Sequence, residues 1–594
     1  MTYLSRLAGY ATIAAQALVR RGRTLVTNMG EAQRFLLLSI LIGIVSGVVV
    51  VCFHIAIEYL SWRSIYTLGE RRSWRIVLWP AFGAIASWSL VQWVFPAARG
   101  SGVNAAKAAV LVSDGYVPSS SVAGKFVTSA VSIGTGNPMG PEDPALQMGA
   151  GIASAFGRLF RLSREHMRLI APVGAAAGIG AAFNTPITAV LFVMEEVVAG
   201  WNAGALGSIV LAAVSAVVVS RWYLGDNPLF GVPEFAITHP SELVVYAAMG
   251  VVGGLLSAVF TRYTLALRAR AMAAPERVTY VLPLVAGLIV GIVGVWAPGA
   301  LGAGYRTIDG ALHDRFAWNS LLTLGVLKMA TAAMCFSVGV PGGMFAPALF
   351  IGATIGGGMG ALADLYGPFP SSPAGAYVLV GMGTFFAGLF RAPMTSIFMV
   401  FEVSASYVII LPVMIANTIA FLVSRHVHPG SLLEMVARQD GLHLPSAEEL
   451  EEIPLLTVED AMVTSPDRLV ARGLPIVAGR AQLQAAGASH GLVKDPAGDW
   501  HWLSVVDLDP HATETVASTI PEAHPALRVY PDSSLDFALR LLGRCPILLV
   551  SNRANRHQVL GTLTLDDVQR AYGVRPSLSA GTPASVPPGV EPAS

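Results

Sequence analysis

The stretch Gly136-Asn137-Pro138-Met139-Gly140-Pro141-Glu142-Asp143-Pro144-Ala145-Leu146 puts two carboxylates and three prolines at the mouth of an apolar helix. A helix N-terminus carries about half a positive charge and several unpaired N–H groups, so an acid placed there competes with any anion drawn to the same donors. Proline and glycine keep the preceding turn irregular, and irregular backbone persists at membrane depth only inside protein or beside a wet cavity. In membrane surroundings this position would be functional, with Glu142 as its leading residue.

The composition supplies those surroundings. Of 594 residues, 54% are hydrophobic and only 13% charged, with a mean hydropathy of +0.60, which is the signature of a polytopic membrane protein. Uncharged runs long enough to span a bilayer cover Phe35–Phe53, Ile76–Ala98, Leu169–Met194, Val278–Tyr305, Met329–Leu362, Tyr366–Phe390 and Val403–Ser424. Several exceed one straight span and are rich in Gly and Pro, which predicts broken or tilted helices instead of single rods. Cys52, Cys335 and Cys545 stand too far apart in sequence to suggest a disulfide framework or a metal site. A net charge of +1 with scattered basic residues gives no nucleic-acid signature. Residues 1–32 read as a cytoplasmic amphipathic helix, not a signal peptide, and Arg20, Arg21 and Arg23 favour a cytoplasmic N-terminus. The connection holding Arg63, Arg71, Arg72 and Arg75 opposes that orientation if Phe35–Phe53 crosses once.

The chain repeats itself. Gly136, Pro138, Gly140, Pro144, Ala145, Leu146, Gly149, Ala150 and Ile152 match Gly339, Pro341, Gly343, Pro347, Ala348, Leu349, Gly352, Ala353 and Ile355, each 203 residues on, as Lys125 and Thr128 match Lys328 and Thr331. A second pair, Phe183–Thr188 with Glu195 and Phe390–Thr395 with Glu402, follows at a spacing of 207. Related halves, inverted in the membrane, bring broken helices together near the midplane with their N-termini facing a shared site. The alignment pairs Glu142 with Phe345 at equivalent helix starts.

Three signatures, in order, resemble those of the CLC family of chloride channels and proton-coupled chloride exchangers, over most of Arg34–Arg438. Gly100-Ser101-Gly102-Val103 is similar to the family's G-S-G-I-P, Gly140-Pro141-Glu142-Asp143-Pro144 to G-[RK]-E-G-P, and Gly342-Gly343-Met344-Phe345-Ala346-Pro347 to G-x-F-x-P. The resemblance implies an anion-binding set of Ser101, Gly102, Glu142, Met344 and Phe345, with the Ser101 hydroxyl on the central anion and backbone N–H groups around Phe345. It makes Glu142 the gating glutamate, whose carboxylate occupies the outer anion site when ionised and swings away when protonated. Glu196 matches the family's internal proton-transfer glutamate, while Glu402 is expected to be structural.

Plainer readings stand beside these. Ser101 suits a helix–helix contact, Phe345 suits core packing, Glu195 and Glu196 suit a membrane interface, and Tyr407 suits an aromatic belt. The chain also departs from the family: Pro141 replaces a cation, Asp143 a glycine and Asn104 a proline, which is expected to loosen that helix start. No tyrosine stands near Gly430-Ser431-Leu432, where the family's pore tyrosine falls. For Asp143, directly before Pro144, an N-cap is expected. A second reading has its carboxylate take up donors an anion would use, or repel Glu142.

Beyond a 441–455 linker, residues 456–573 resemble a tandem CBS pair, Thr457–Asp507 and Ala526–Tyr572, ahead of a disordered tail at 574–594. Thr457–Met462 reads as a short strand entering a helix, and Pro546–Ser551 with Gln558–Thr564 as a strand pair leading into a helix. Ser504, Asp507, Thr564 and Asp567 resemble the adenosine-binding Ser/Thr and Asp of such pairs, so an adenine nucleotide is the one cofactor in view; a dimer contact without ligand is the alternative.

The expected protein is an all-α polytopic membrane protein of CLC-type inverted-repeat fold with broken and re-entrant helices, plus a cytoplasmic α/β CBS-pair domain. Its transmembrane domain covers 33–440, with repeats at about 33–225 and 240–425 and a last short helix. The function expected is chloride/proton antiport by a cell-membrane homodimer in the lipid bilayer; the alternatives are a passive chloride channel or transport of bicarbonate, nitrate or fluoride. No nucleophile–base pair stands in the spans, so an enzyme is not expected.

Overall fold

The computed structural model describes residues 30–571 apart from 67–73, 199–202, 226–229, 234–238, 367–371, 443, 445–455, 465, 510–513, 517–523 and 557. The expected N-terminal helix, most of the linker and the tail therefore lie outside the described residues. The chain divides into a unit at Met1–Leu450 and a second at Glu451–Ser594.

Single turns aside, the first unit contains two successive sets of eight described helices. The first set is α1 (Glu31–Ser61), α2 (Leu78–Trp93), α3 (Gly102–Leu111), α4 (Ser119–Gly134), α5 (Glu142–Leu159), α6 (Arg164–Phe183), α7 (Pro186–Phe192) and α8 (Ala203–Leu224). The second is α9 (Glu242–Met272), α10 (Leu282–Trp296), α11 (Tyr305–Leu312), α12 (Trp318–Ser337), α13 (Phe345–Tyr366), α14 (Ala374–Phe390), α15 (Pro393–Ser404) and α16 (Ile410–Val427). A last helix, α17 (Leu432–Gln439), starts in a capping box between Ser431 and Glu434. Among the described residues eight helices are long and apolar enough to cross a membrane, and the chain is a multi-pass membrane protein.

The breaks in the uncharged runs have local causes. Met329–Leu362 divides at Val338–Met344, where Gly339 and Gly342 take positive φ of 78° and 146°, a conformation that favours glycine. Leu169–Met194 divides at Asn184 and Tyr366–Phe390 ends at Arg391; both residues sit in the left-handed region, at φ 60° and 58°, and each is followed by a helix with proline at its first position.

Helix n of the first set corresponds to helix n+8 of the second, and mates pack on each other at α2/α10, α5/α13 and α7/α15. Gly140 and Gly343, 203 residues apart, exchange N–H···O bonds of 2.8 Å in both directions. Glu195 reaches across to α15, accepting from the Met394 and Thr395 amides at 3.3 and 3.0 Å and from the Thr395 hydroxyl at 2.7 Å. Glu402 returns the arrangement to the Ile187 and Thr188 amides of α7, at 2.9 and 2.7 Å. Both acids therefore cap a helix of the opposite half, and Glu402 has the structural place expected for it. Within each half the broken pair is tightly joined: a Cβ on Gly149 would collide with the Gly174 carbonyl, and one on Gly352 with the Gly381 carbonyl.

The start of α1 lies beside the α5–α6 turn. Arg34 donates to the Arg161 carbonyl at 3.3 Å, and Glu31 stands 3.2 Å from the His166 ring. At the far end of α9, Arg268 pairs with Asp440 just beyond α17.

The second unit contains two mixed sheets with one plan. Strands β1 (Leu469–Val470), β2 (His490–Lys494), β3 (Trp500–Ser504) and β4 (His524–Pro525) form the first sheet, and β5 (Arg528–Val529), β6 (Ile547–Ser551) and β7 (Val559–Thr564) the second. In each, a short strand runs parallel to the next, and the middle strand pairs antiparallel with its successor. Helices Ile476–Ala485 and Leu535–Leu542 make the parallel crossovers, and Leu492 of β2 packs with Ile547 and Leu549 of β6. The expected strand at Thr457 is only a single bridge to Ser534, because Thr457 is occupied as a helix cap with Asp460. The strand pair before Asp566 forms as expected.

Candidate anion site at the paired helix starts

Glu142 and Phe345 are the first residues of α5 and α13. The reciprocal Gly140–Gly343 bonds hold the two helix starts together, and the first N–H groups of each helix have no partner within it. Glu142 is completely buried. Its Oε1 accepts from the Tyr305 hydroxyl at the start of α11, while Oε2 has no hydrogen-bond partner and lies with the Ala346 amide beside Gly140. The Phe345 ring stacks on Phe390 with centroids 4.7 Å apart and packs edge-on against Phe183 and Phe192. Its side chain is thus core, as the plainer reading holds, and the amide of the next residue, Ala346, is what lies near the Glu142 carboxylate.

Asp143 departs from the expected N-cap. Helix α5 begins at Glu142 with Pro141 in the cap position and no side-chain cap, two residues too early for Asp143 to serve. Its carboxylate instead crosses to α3, where Oδ1 accepts from the Ser101 hydroxyl at 2.7 Å and the Val103 amide at 3.1 Å, and Oδ2 from the Gly102 amide at 2.8 Å. A Cβ on Gly102 would collide with the Asp143 carbonyl, so only glycine permits this approach. Consecutive residues of α5 are therefore held by the mates α3 and α11, one on each side of the axis.

Ser101 also lines a cavity of about 590 Å³ with Arg99, Asn104, Lys125, Arg268 and Asp440. Lys125 is held off the site by the Gly100 carbonyl at 2.6 Å; its mate Lys328 binds the Gly302 carbonyl at 2.5 Å. Asn104 does not loosen α3: its amide donates to the Leu433 carbonyl of α17 at 2.9 Å. Where the family tyrosine was sought, Ser431 is occupied in capping α17.

The adjacent acids after α7 separate cleanly. Glu195 caps α15, whereas Glu196 is half-buried, accepts no hydrogen bond among the described residues, and feels the charges of Lys107, Glu195, Glu434 and Arg391. In the second unit, Ser504 and Thr564 end β3 and β7, each three residues before its aspartate. Asp567 is already engaged, accepting from the Thr564 hydroxyl at 2.7 Å and pairing with Arg468. Among the described residues, no group of three or more His, Cys, Asp or Glu side chains is placed for a metal ion.

Sequence reading missed Tyr305, the donor to Glu142, and Lys107. A signal for Tyr305 existed: Pro96, Gly100 and Gly102 recur as Pro298, Gly302 and Gly304 at a spacing of 202, and Pro96–Ala98 and Pro298–Ala300 both form a 3₁₀ turn. That register places Tyr305 opposite Val103, at the start of the helix facing Glu142.

The profile of the family described as Voltage gated chloride channel matches residues 82–425, from α2 through most of α16. The chain belongs to this family, the CLC proteins. This CLC chain is 30% identical over 454 residues to the H(+)/Cl(-) exchange transporter ClcA of Salmonella arizonae, covering 72% of the chain and 96% of that protein. Among solved structures it is similar in fold to a slow cyanobacterial Cl-/H+ antiporter, with a TM-score of 0.64 and 24% identity over 69% of this chain and 98% of the other. It is also similar to a CLC-type fluoride/proton antiporter, with a TM-score of 0.58 and 21% identity over 68% of this chain and 97% of the other. CLC proteins are channels and transporters, not enzymes.

Proposed function

We propose that this CLC protein exchanges chloride for protons across the cell membrane, with Glu142 as the protonatable gate and Glu196 as the inner proton relay. The observation that carries the reading is the Glu142 carboxylate, buried between two helix N-termini with one oxygen held by Tyr305 and the other unpartnered. An ionised carboxylate fills the place of an anion there, and protonation removes its claim on the donors. Ser101, Gly102, Met344 and Phe345 form the anion-binding set around it. The antiport named for the Salmonella relative supports coupling, as does Glu196, an intramembrane acid left without a structural partner.

The N-terminus and the second unit belong on the cytoplasmic side, supported by Arg158, Arg161, Arg164 and Arg168 around the α5–α6 turn, against which the start of α1 lies. The shared plan of the two small sheets supports a CBS-like pair, with Ser504, Asp507, Thr564 and Asp567 as an adenine-nucleotide site and a homodimer as the assembly.

Purified protein in liposomes tests the reading. A chloride gradient is expected to drive proton uptake in the wild type, Glu142→Gln to carry anion without protons, and Glu196→Gln to lose proton movement while keeping anion flux. Proton pumping that survives Glu196→Gln overturns the relay. Parallel fluxes of fluoride, nitrate and bicarbonate rank the substrates, and chloride flux without proton movement in the wild type would make it a channel.

A further inference from the structure

Resting on that transport reading, we infer that Asp143 is a tethered anion that occupies the binding position at the N-terminus of α3 and sets how tightly a free anion can compete for it. The position is built for an anion: one hydroxyl and two amides converge on it from Ser101, Gly102 and Val103. Each is a charge-assisted bond to a carboxylate that is 3% exposed. The adjacent Glu142 carboxylate is fully buried and its Oε2 lies with the Ala346 amide beside Gly140, so the neighbouring helix start also faces the chain's own charge.

The approach supports the same conclusion. Ser101 lies on the wall of the cavity of about 590 Å³ that Arg99, Lys125 and Arg268 also line. That wall attracts anions, although Arg268 is partly neutralised by Asp440. An anion drawn in meets donors already satisfied by a group that never leaves the chain. A tethered competitor acts at an effective concentration of about millimolar or more, so the free anion binds only as Asp143 yields. A carboxylate with no role beyond capping α3 would make the same three bonds, which makes anion affinity the discriminating readout.

The test is calorimetric titration of purified full-length protein with chloride and, separately, with fluoride. Asp143→Gly is expected to bind the preferred ion at least about tenfold more tightly than wild type, the scale of one charge-assisted hydrogen bond exchanged for another. Adding Ser101→Ala to Asp143→Gly should remove most of the gain. Asp143→Asn keeps the shape and the capping oxygen without the charge, and should fall between the two; it also serves if Asp143→Gly is not monodisperse. Wild-type affinity in both Asp143 variants overturns the inference. Liposome flux separates this from the underlying reading. A Glu142-dependent flux with unchanged titrations sinks the Asp143 assignment alone, whereas absence of anion flux in every form sinks the transport reading while the titrations still decide what Asp143 does.

Discussion

Two consecutive acids divide their attention between two halves of the protein. Glu142 turns to Tyr305 and Asp143 to Ser101, because successive residues at a helix start project in different directions and a different helix N-terminus waits on each side. Tyr305→Phe deletes the donor that holds Glu142 in place. With that bond worth about 1.5–3 kcal/mol at most, anion flux at neutral pH is expected to rise, by about tenfold and at most about a hundredfold, with proton coupling retained; an unchanged or lower flux in liposomes contradicts a holding role. Ser101, Glu142 and Phe345 were legible as motif positions. The partner of Asp143 was not, because the N-cap expectation depended on where α5 begins and a shift of two residues exchanged capping its own helix for capping another. Tyr305 was hidden differently, since its half of the repeat keeps the glycines of Gly100 and Gly102 but replaces Ser101 with Ala303.

At the level of helices, the broken pairs were readable from uncharged runs too long for one span. Which acid caps which helix was not, because caps exchanged between halves leave no local trace. Glu195→Ala should leave the Met394 and Thr395 amides without their acceptor, at a cost of about 0.5–2 kcal/mol. The thermal midpoint in detergent is expected to fall, with a similar fall for Glu402→Ala, while ion selectivity stays as in wild type. A Glu195 variant that loses proton coupling without losing stability would move the proposed relay from Glu196 to its neighbour. The contacts of α5 with α6 and α13 with α14 are less forgiving. Gly149→Ala and Gly352→Ala each force a methyl against a facing carbonyl, and overpacking of this kind costs about 1–3 kcal/mol or more. Both should lower the yield of monodisperse protein, in contrast to Gly207→Ala, where a methyl meets nothing within 4 Å.

For the molecule as a whole, the duplication was the most informative feature of the sequence, because its spacing survives even where side chains diverge. The second unit was legible in its later half, where β6 is a fully buried, mostly apolar run of five residues and β7 a strand of six, and less so in the first, where β1 has two residues and the short strand expected at Thr457 is a single bridge. Its stability carries a pH signature. Burial alone would raise the Asp567 carboxyl, but the Arg468 guanidinium and the Thr564 hydroxyl and amide outweigh it and hold the group below the usual range. A depressed carboxyl stabilises fully above its unfolded value of about 3.9 and loses that contribution as pH falls toward the folded value. Stability of this unit in the full chain should therefore carry the full Asp567 contribution, with little pH dependence from it, between about pH 5 and 8 and weaken below about 4, a fall that Asp567→Asn should flatten.

The Gly140–Gly343 pair constrains how the protein can move. Inverted halves commonly alternate by rocking against each other around a fixed site. Here the halves are fastened to each other at that site by two backbone bonds between symmetry-related glycines, and again by the crossed caps of Glu195 and Glu402. A rocking motion at this level would break all of them together. The cheaper movement is rotation of single side chains, so a disulfide or crosslink that locks the halves relative to each other should leave ion exchange running.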